Sequence, residues 1–341
     1  MRCKLISAAF FLIATPLLVN GQPQLYIEDA GHGPVRGLAF SPDGKLLAVR
    51  GGLGRPPILS IWDFANKERI SRFASTHGHF FPQFSDDGAF VYSLGSKVNM
   101  GGFLGWELYR YNTRTDGRKL VVQSDESEQC HAHWIDQRRV ISSKSEPEES
   151  RIKHSLRFLE YGANKRHTIV LDESFKLMGF SPNKKLVALC LGKSRLHIYD
   201  WENNKKHCEL EVASLINQEC YYCTFLADNK RIFVVTGGVG QPQIQVWDTS
   251  TRKSTPVRGH FVGCAPPGFE PLLSPNGRVL ATHAPGAVGF FDTQKLTYVS
   301  VVRPKDRIQL HGAAVFTPNG KALVLGESGG NIWAFDVPRL E

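Results

Sequence analysis

Apolar positions in this chain come in short runs, some alternating with polar residues and some continuous, and the runs are separated by clusters of Pro, Asp, Asn, Ser and Gly. Such runs bounded by turn residues read as strands. The most regular of them, LAFSPDGKLLAV (38 to 49), recurs as PQFSDDGAFVYS (82 to 93), AHWIDQRRVISS (132 to 143), MGFSPNKKLVAL (178 to 189), CTFLADNKRIFV (223 to 234), PLLSPNGRVLAT (271 to 282) and AVFTPNGKALVL (314 to 325). Measured at the residue aligned with Phe40, the steps are 44, 50, 46, 45, 48 and 43, which makes seven units. A repeat of this length is the signature of a stacked or ring-shaped architecture.

Each unit reads as a strand, a turn of Pro, Asp or Asn and Gly, and a second strand, the pattern of a hairpin whose turn needs a positive φ. A third strand follows, ending at Trp62-Asp63, Tyr111-Asn112, Leu159-Glu160, Tyr199-Asp200, Trp247-Asp248, Phe291-Asp292 or Phe335-Asp336. A fourth, weaker run comes next, as in ERISRF (68 to 73), RKLVVQ (118 to 123) and LTYVSVV (296 to 302). The prediction is an all-β fold: a seven-bladed β-propeller of four-stranded antiparallel blades. Unit seven ends with its third strand, and only VPRLE follows. QLYIEDA (24 to 30) has no other partner, so it is expected to supply the missing outer strand and close the ring without a free edge.

The Trp-Asp pairs at 62–63 and 247–248, the FSPDG-type turns, and the Gly-His pairs at 31–32, 78–79 and 259–260 resemble the WD-repeat family over residues 24 to 337. The repeats are degenerate. In that family the histidine of the Gly-His pair bonds a Ser or Thr of the second strand and an Asp in the next turn. The corresponding turn of unit one, RGGLGRPP, has no Asp. The resemblance implies a rigid platform for partners.

The first 21 residues follow a different logic. Arg2 and Lys4 precede the apolar run LISAAFFLIATPLLV, and Val19, Asn20 and Gly21 precede Gln22. That is the layout of a secretory signal peptide at residues 1 to 21, leaving the propeller at 22 to 341. The run is shorter than the roughly 20 residues that span a bilayer, and Pro16 interrupts it. Export is therefore expected, to a periplasmic, cell-surface or extracellular location, with no membrane span once the signal is cleaved. Without Arg2 and Lys4 the balance is 39 basic against 32 acidic residues, a net +7. These charges are scattered rather than gathered into a stripe, which disfavours a nucleic-acid partner.

Several motifs invite chemical readings. GESGG (326 to 330) fits the pattern of a hydrolase nucleophile elbow, but NIWAFD continues as a strand where the elbow requires a helix, so a turn is expected. RGGLGRPP (50 to 57) and TGGVGQPQ (236 to 243) lack the Lys-Ser or Lys-Thr ending of a phosphate loop and read as equivalent wide turns. His77 and His79 are expected in the loop entering unit two and His131 and His133 in the loop entering unit three, where each H-x-H could offer two imidazoles to zinc or copper. Packing of the loops by these histidines is the competing reading, and no other cofactor is indicated. Without Cys3, six cysteines remain, of which Cys130, Cys220, Cys223 and Cys264 share one face and are candidates for a disulfide. Cys190, in LVALC, reads as a buried thiol.

The first strand of each unit lines the central channel of a propeller. Among these segments only Glu270 is acidic, too few carboxylates for a calcium site or an acid/base pair. Arg36, Phe80, Phe81, His133, Tyr221, Tyr222 and Phe269 are expected around one mouth of the channel, and they are the residue types that anchor protein interfaces. The leading expectation is a monomeric, non-catalytic platform for a protein or peptide. The alternatives are a metal- or cofactor-dependent enzyme built on the histidine loops, and a structural part of a surface assembly.

Overall fold

In the computed structural model, which describes residues 22–52, 58–74, 78–99, 102–115, 117–123, 132–134, 139–148, 151–160, 165–171, 173–212, 219–237, 243–257, 271–284, 286–304 and 308–340, the first hairpin of a unit is closed by its own side chains. Ser41 Oγ donates to Asp43 Oδ1 at 2.6 Å, and the same carboxylate oxygen accepts the Lys45 N–H at 3.1 Å. Ser41 Oγ in turn accepts the Leu46 N–H at 2.9 Å. The pairs Ser85 and Asp87, Ser181 and Asn183, Ser274 and Asn276, and Thr317 and Asn319 repeat the arrangement. Such side-chain mimicry of backbone bonds is why Ser, Asp and Asn mark turns.

The Asp or Asn that ends the third strand has an equally local role in five blades. Asp292 Oδ1 accepts the N–H groups of Gln294 at 2.8 Å and Lys295 at 3.0 Å. Asp248 does the same for Ser250 and Thr251, and Asn112 for Arg114 and Thr115. Asp63 and Asp200 each accept the N–H three residues on. In these five blades the polar residue that ends the third strand is thus a turn device.

Seven four-stranded antiparallel sheets result. The first strands of the seven blades are Gly37–Phe40, Gly78–Phe84, Ala132–Trp134, Phe175–Phe180, Glu219–Phe225, Leu272–Leu273 and Leu310–Phe316. They approach one another around the centre. The described residues include no helix, and none of their segments is a helix long and apolar enough to cross a membrane.

The seventh blade is completed from the other end of the chain. Gln24–Ile27 pairs antiparallel with Ile332–Asp336, bringing Gln24 opposite Ala334 and Ile27 opposite Ile332. Gly31 N–H then donates to Gly330 O at 3.0 Å, and Val35 N–H to Glu327 O at 3.1 Å. Ile27 and Ala30 are buried against Leu38, Val49 and Ile332. The chain ends are joined by the closure expected from the sequence.

The core is distributed along the seams between adjacent sheets. Ala48, Leu59, Ile61 and Phe73 of blade 1 meet Phe84, Val91 and Tyr111 of blade 2. At the seam of blades 3 and 4, Phe158 stacks on Trp201 with centroids 4.5 Å apart. Alternation along each strand sends one set of apolar residues to each neighbour, so a blade is buried on both faces. Blades 2 and 3 depart from the others in height. Their middle strands, Phe90–Asn99 with Gly102–Asn112 and Arg139–Glu148 with Arg151–Glu160, run 10, 11, 10 and 10 residues, against 6 for Leu46–Gly51.

Candidate binding face at the channel mouth

Because the strands of a blade alternate in direction, the turns after the second and fourth strands emerge on one face of the ring. The turns after the first and third emerge on the other. The four or five extra residues per strand in blades 2 and 3 extend toward the first of these faces, since Glu148 and Arg151 pair beyond the end of the inner strand. At about 3.3 Å per residue they raise two hairpins roughly 13 Å beside the channel mouth. Sequence reading missed this wall; its trace was the step of 50 between units two and three.

Arg36 immediately precedes the inner strand of blade 1 and is exposed, its N–H donating to Arg50 O at 2.8 Å. Arg50 lies opposite Gly37 on the inner side and Leu59 on the outer side. Directly opposed residues share a face, and Leu59 belongs to the seam with blade 2, so Arg50 points that way too. Its Nε is buried without a hydrogen-bond partner. Burial, reinforced by the charge of Arg36, pushes the guanidinium down to about 10, still far above neutral pH. No described carboxylate pairs with either arginine.

Tyr221 and Tyr222 are half-buried at the start of blade 5. Lys176, on the inner strand of blade 4, donates its Nζ to Tyr221 O at 3.1 Å and lies 5.4 Å from the Tyr222 ring centroid. The Tyr221 ring packs on the backbone of Gly237, where even a methyl group would stand 2.2 Å from it. The ladder slips between Cys220 and Tyr222, so Tyr221 forms a bulge. That extra residue turns Cys220 to the same side as Cys223, although a spacing of three in a regular strand gives opposite sides.

Cys220 and Cys223 are buried thiols in the blade 4 and 5 seam, together with Cys190 and Cys208. Contact with the Cys190 sulfur and burial push the Cys220 thiol upward. Cys190 is thus the buried thiol expected from LVALC, but its place against Cys220 was invisible in the sequence. Cys130 and Cys264 lie outside the described residues, as do His77, His131, Phe269 and Glu270. His79, Phe80, Phe81 and His133 occupy the inner strands Gly78–Phe84 and Ala132–Trp134 of the adjacent blades 2 and 3, and their side chains are outside the described set. Among the described residues no cluster of His, Cys, Asp or Glu could hold a metal.

GESGG is a turn at this face. Gly330 N–H donates to Glu327 O at 3.1 Å, and Ser328 Oγ bonds the Gln309 side chain at 3.1 Å, with no imidazole in the pairing. Gly326 is required for packing, since a Cβ there would stand 2.4 Å from Val35. Glu327 accepts the Trp333 indole N–H at 2.6 Å. His32, the Gly-His position of blade 1, bonds Arg69 at 2.7 Å and Asp29 at 3.3 Å in place of the family tetrad, as the missing Asp in RGGLGRPP implies.

Two clefts on the opposite face are lined by described residues. One, of about 260 Å³, lies between blades 3 and 4 and is lined by Arg139, Phe158, Glu160, His167, Trp201 and Glu202. There Arg139 pairs with Glu202 at 2.8 Å and covers the Trp201 ring. The other, of about 770 Å³, lies between blades 6 and 7 and is floored by the tail Val337, Pro338, Arg339 and Leu340. At the channel mouth Lys193 pairs with Glu219, an acid on the inner strand of blade 5, at 2.5 Å, whereas Arg36, Arg50 and Lys176 have no carboxylate partner among the described residues.

No family model matches the sequence, and no curated protein matches it. Among solved structures the chain is similar to the crystal structure of the Cps50 (Swd1) beta-propeller domain of Myceliophteria thermophila, with a TM-score of 0.63 and 12% identity over 93% of this chain and 100% of that one. A likeness at that identity establishes the seven-bladed fold.

Proposed function

We propose that the chain is an exported, non-catalytic β-propeller of degenerate WD type that holds a protein or peptide partner at the channel mouth. The observation that carries this reading is the mouth itself, where Arg36 of blade 1 and the cluster of Lys176, Tyr221 and Tyr222 from blades 4 and 5 border the same end of the channel. Arginine and tyrosine are preferred interface anchors, and a ring of sheets with seven packed seams holds them at fixed separations. The basic, apolar first 21 residues support export.

Affinity capture of the mature protein from its native envelope, followed by mass spectrometry, tests the platform. One stoichiometric partner is expected, released by joint substitution of Tyr221 and Tyr222 with Ala, and the purified chain should begin at Gln22. Recovery of no partner overturns the reading. Stoichiometric zinc or copper lost on substitution of His131 and His133 replaces it with the metal-dependent alternative.

A further inference from the structure

We infer that Arg36 and Arg50 form a two-guanidinium anchor for the carboxylates of an acidic peptide segment, an assignment that rests on the platform reading above. The two side chains sit on paired strands of blade 1, linked by the Arg36 N–H to Arg50 O bond of 2.8 Å. Gly37 contributes no side chain opposite Arg50, which leaves room for the guanidinium at the inner end of the blade. Burial takes water away from Arg50 and leaves its Nε unbonded, while Arg36 remains exposed. Neither has a carboxylate partner among the described residues. Two like charges held together in a partly dried site repel one another, and an arriving anion relieves that repulsion while supplying the missing acceptor.

Guanidinium matches carboxylate and phosphate alike, so the choice between them comes from the rest of the mouth. Lys176 of blade 4 places a further cation about halfway around the ring from blade 1, beside Tyr221 and Tyr222. Cations on both sides of the mouth suit an extended segment with several acidic residues better than one small anion. The raised hairpins of blades 2 and 3 flank the direction in which Arg50 points. The ligand class is therefore a Glu- or Asp-rich stretch of a protein partner.

The test uses the full-length mature chain and a fluorescein-labelled octapeptide of Glu and Gly, titrated by anisotropy at low and high salt beside its Gln counterpart. Binding of the acidic peptide only, weakened by salt, is expected. Arg36→Ala and Arg50→Met should each weaken it about tenfold or more, whereas Arg72→Ala, on the exposed outer strand of blade 1, should leave it unchanged. Arg36→Ala changes an exposed side chain, so the outcome does not depend on how Arg50→Met folds. Melting of Arg50→Met should also be no lower than that of the parent, because a poorly solvated charge is removed. Equal weakening by all three substitutions would assign the binding to net charge and overturn the anchor, as would displacement of the peptide by inorganic phosphate at low millimolar concentration. Absence of acidic-peptide binding alongside a captured partner that still requires Tyr221 and Tyr222 sinks the anchor and leaves the platform standing.

Discussion

Lys184 holds a φ of 60° in the first turn of blade 4, the position taken by Gly44, Gly88, Gly277 and Gly320 in four other blades. A side chain in the left-handed region costs about 1 to 2 kcal/mol, which glycine avoids. Lys184→Gly should raise the melting temperature by roughly 2 °C after glycine's greater entropy loss is set against that relief, as differential scanning fluorimetry would register. His197 supplies a pH-dependent case. Burial first, and Lys206 second, lower its pKa below the ordinary 6.5, although Glu209 lies 3.1 Å away. The folded chain therefore keeps the imidazole neutral while the unfolded chain takes a proton near pH 6.5, so stability falls as pH drops through that region and levels off below the folded pKa. Glu209 acts in a separate window: its lowered pKa makes a contribution that is lost as pH falls below about 4.5. His197→Gln should flatten the melting curve's slope between neutral pH and the acid side of 6.5 while leaving the fall below 4.5 in place. An unchanged slope would remove His197 from the account.

At the scale of strands, the element with the largest effect for its length is the four-residue Gln24–Ile27. Its bonds to Ile332–Asp336 remove the open edge of blade 7, and Ile27 lies 4% exposed in the seam with blade 1. Ile27→Ala should cost about 2 to 4 kcal/mol by the usual cost of a buried cavity. Deleting residues 22 to 30 should lower the melting temperature far more, because it also frees the Gly31 and Val35 bonds. Circular dichroism melts of the two variants and the parent provide the check, and equal midpoints would refute the role of the strand. The hairpins of the repeat were legible in the sequence because Ser41, Asp43 and Gly44 specify their turn within a few residues. The bulge at Tyr221 was not, since a slip in the ladder depends on the neighbouring strand and reverses the side on which Cys220 falls.

For the whole molecule, seven seams replace a single core, and each seam joins residues from adjacent blades that are far apart in the chain. This explains which parts of the candidate site could be anticipated. Arg36, Tyr221 and Tyr222 were legible because inner-strand positions follow from the repeat. Arg50 was not, because in LLAVRG it reads as one more strand residue, and only its pairing with Gly37 brings it to the mouth. Lys176 escaped for the same reason, since its contact with Tyr221 crosses a seam. Local turn chemistry therefore reveals the fold, while the cationic pairings at the mouth depend on which strands become neighbours.

The bond from Asp29 N–H to the Asn331 side chain joins residues 302 positions apart, so Gln24–Ile27 can be seated only after Ile332–Asp336 has been synthesised. Until then the first six blades present an unsealed flank, and the ring can lock shut only once synthesis has passed the seventh blade.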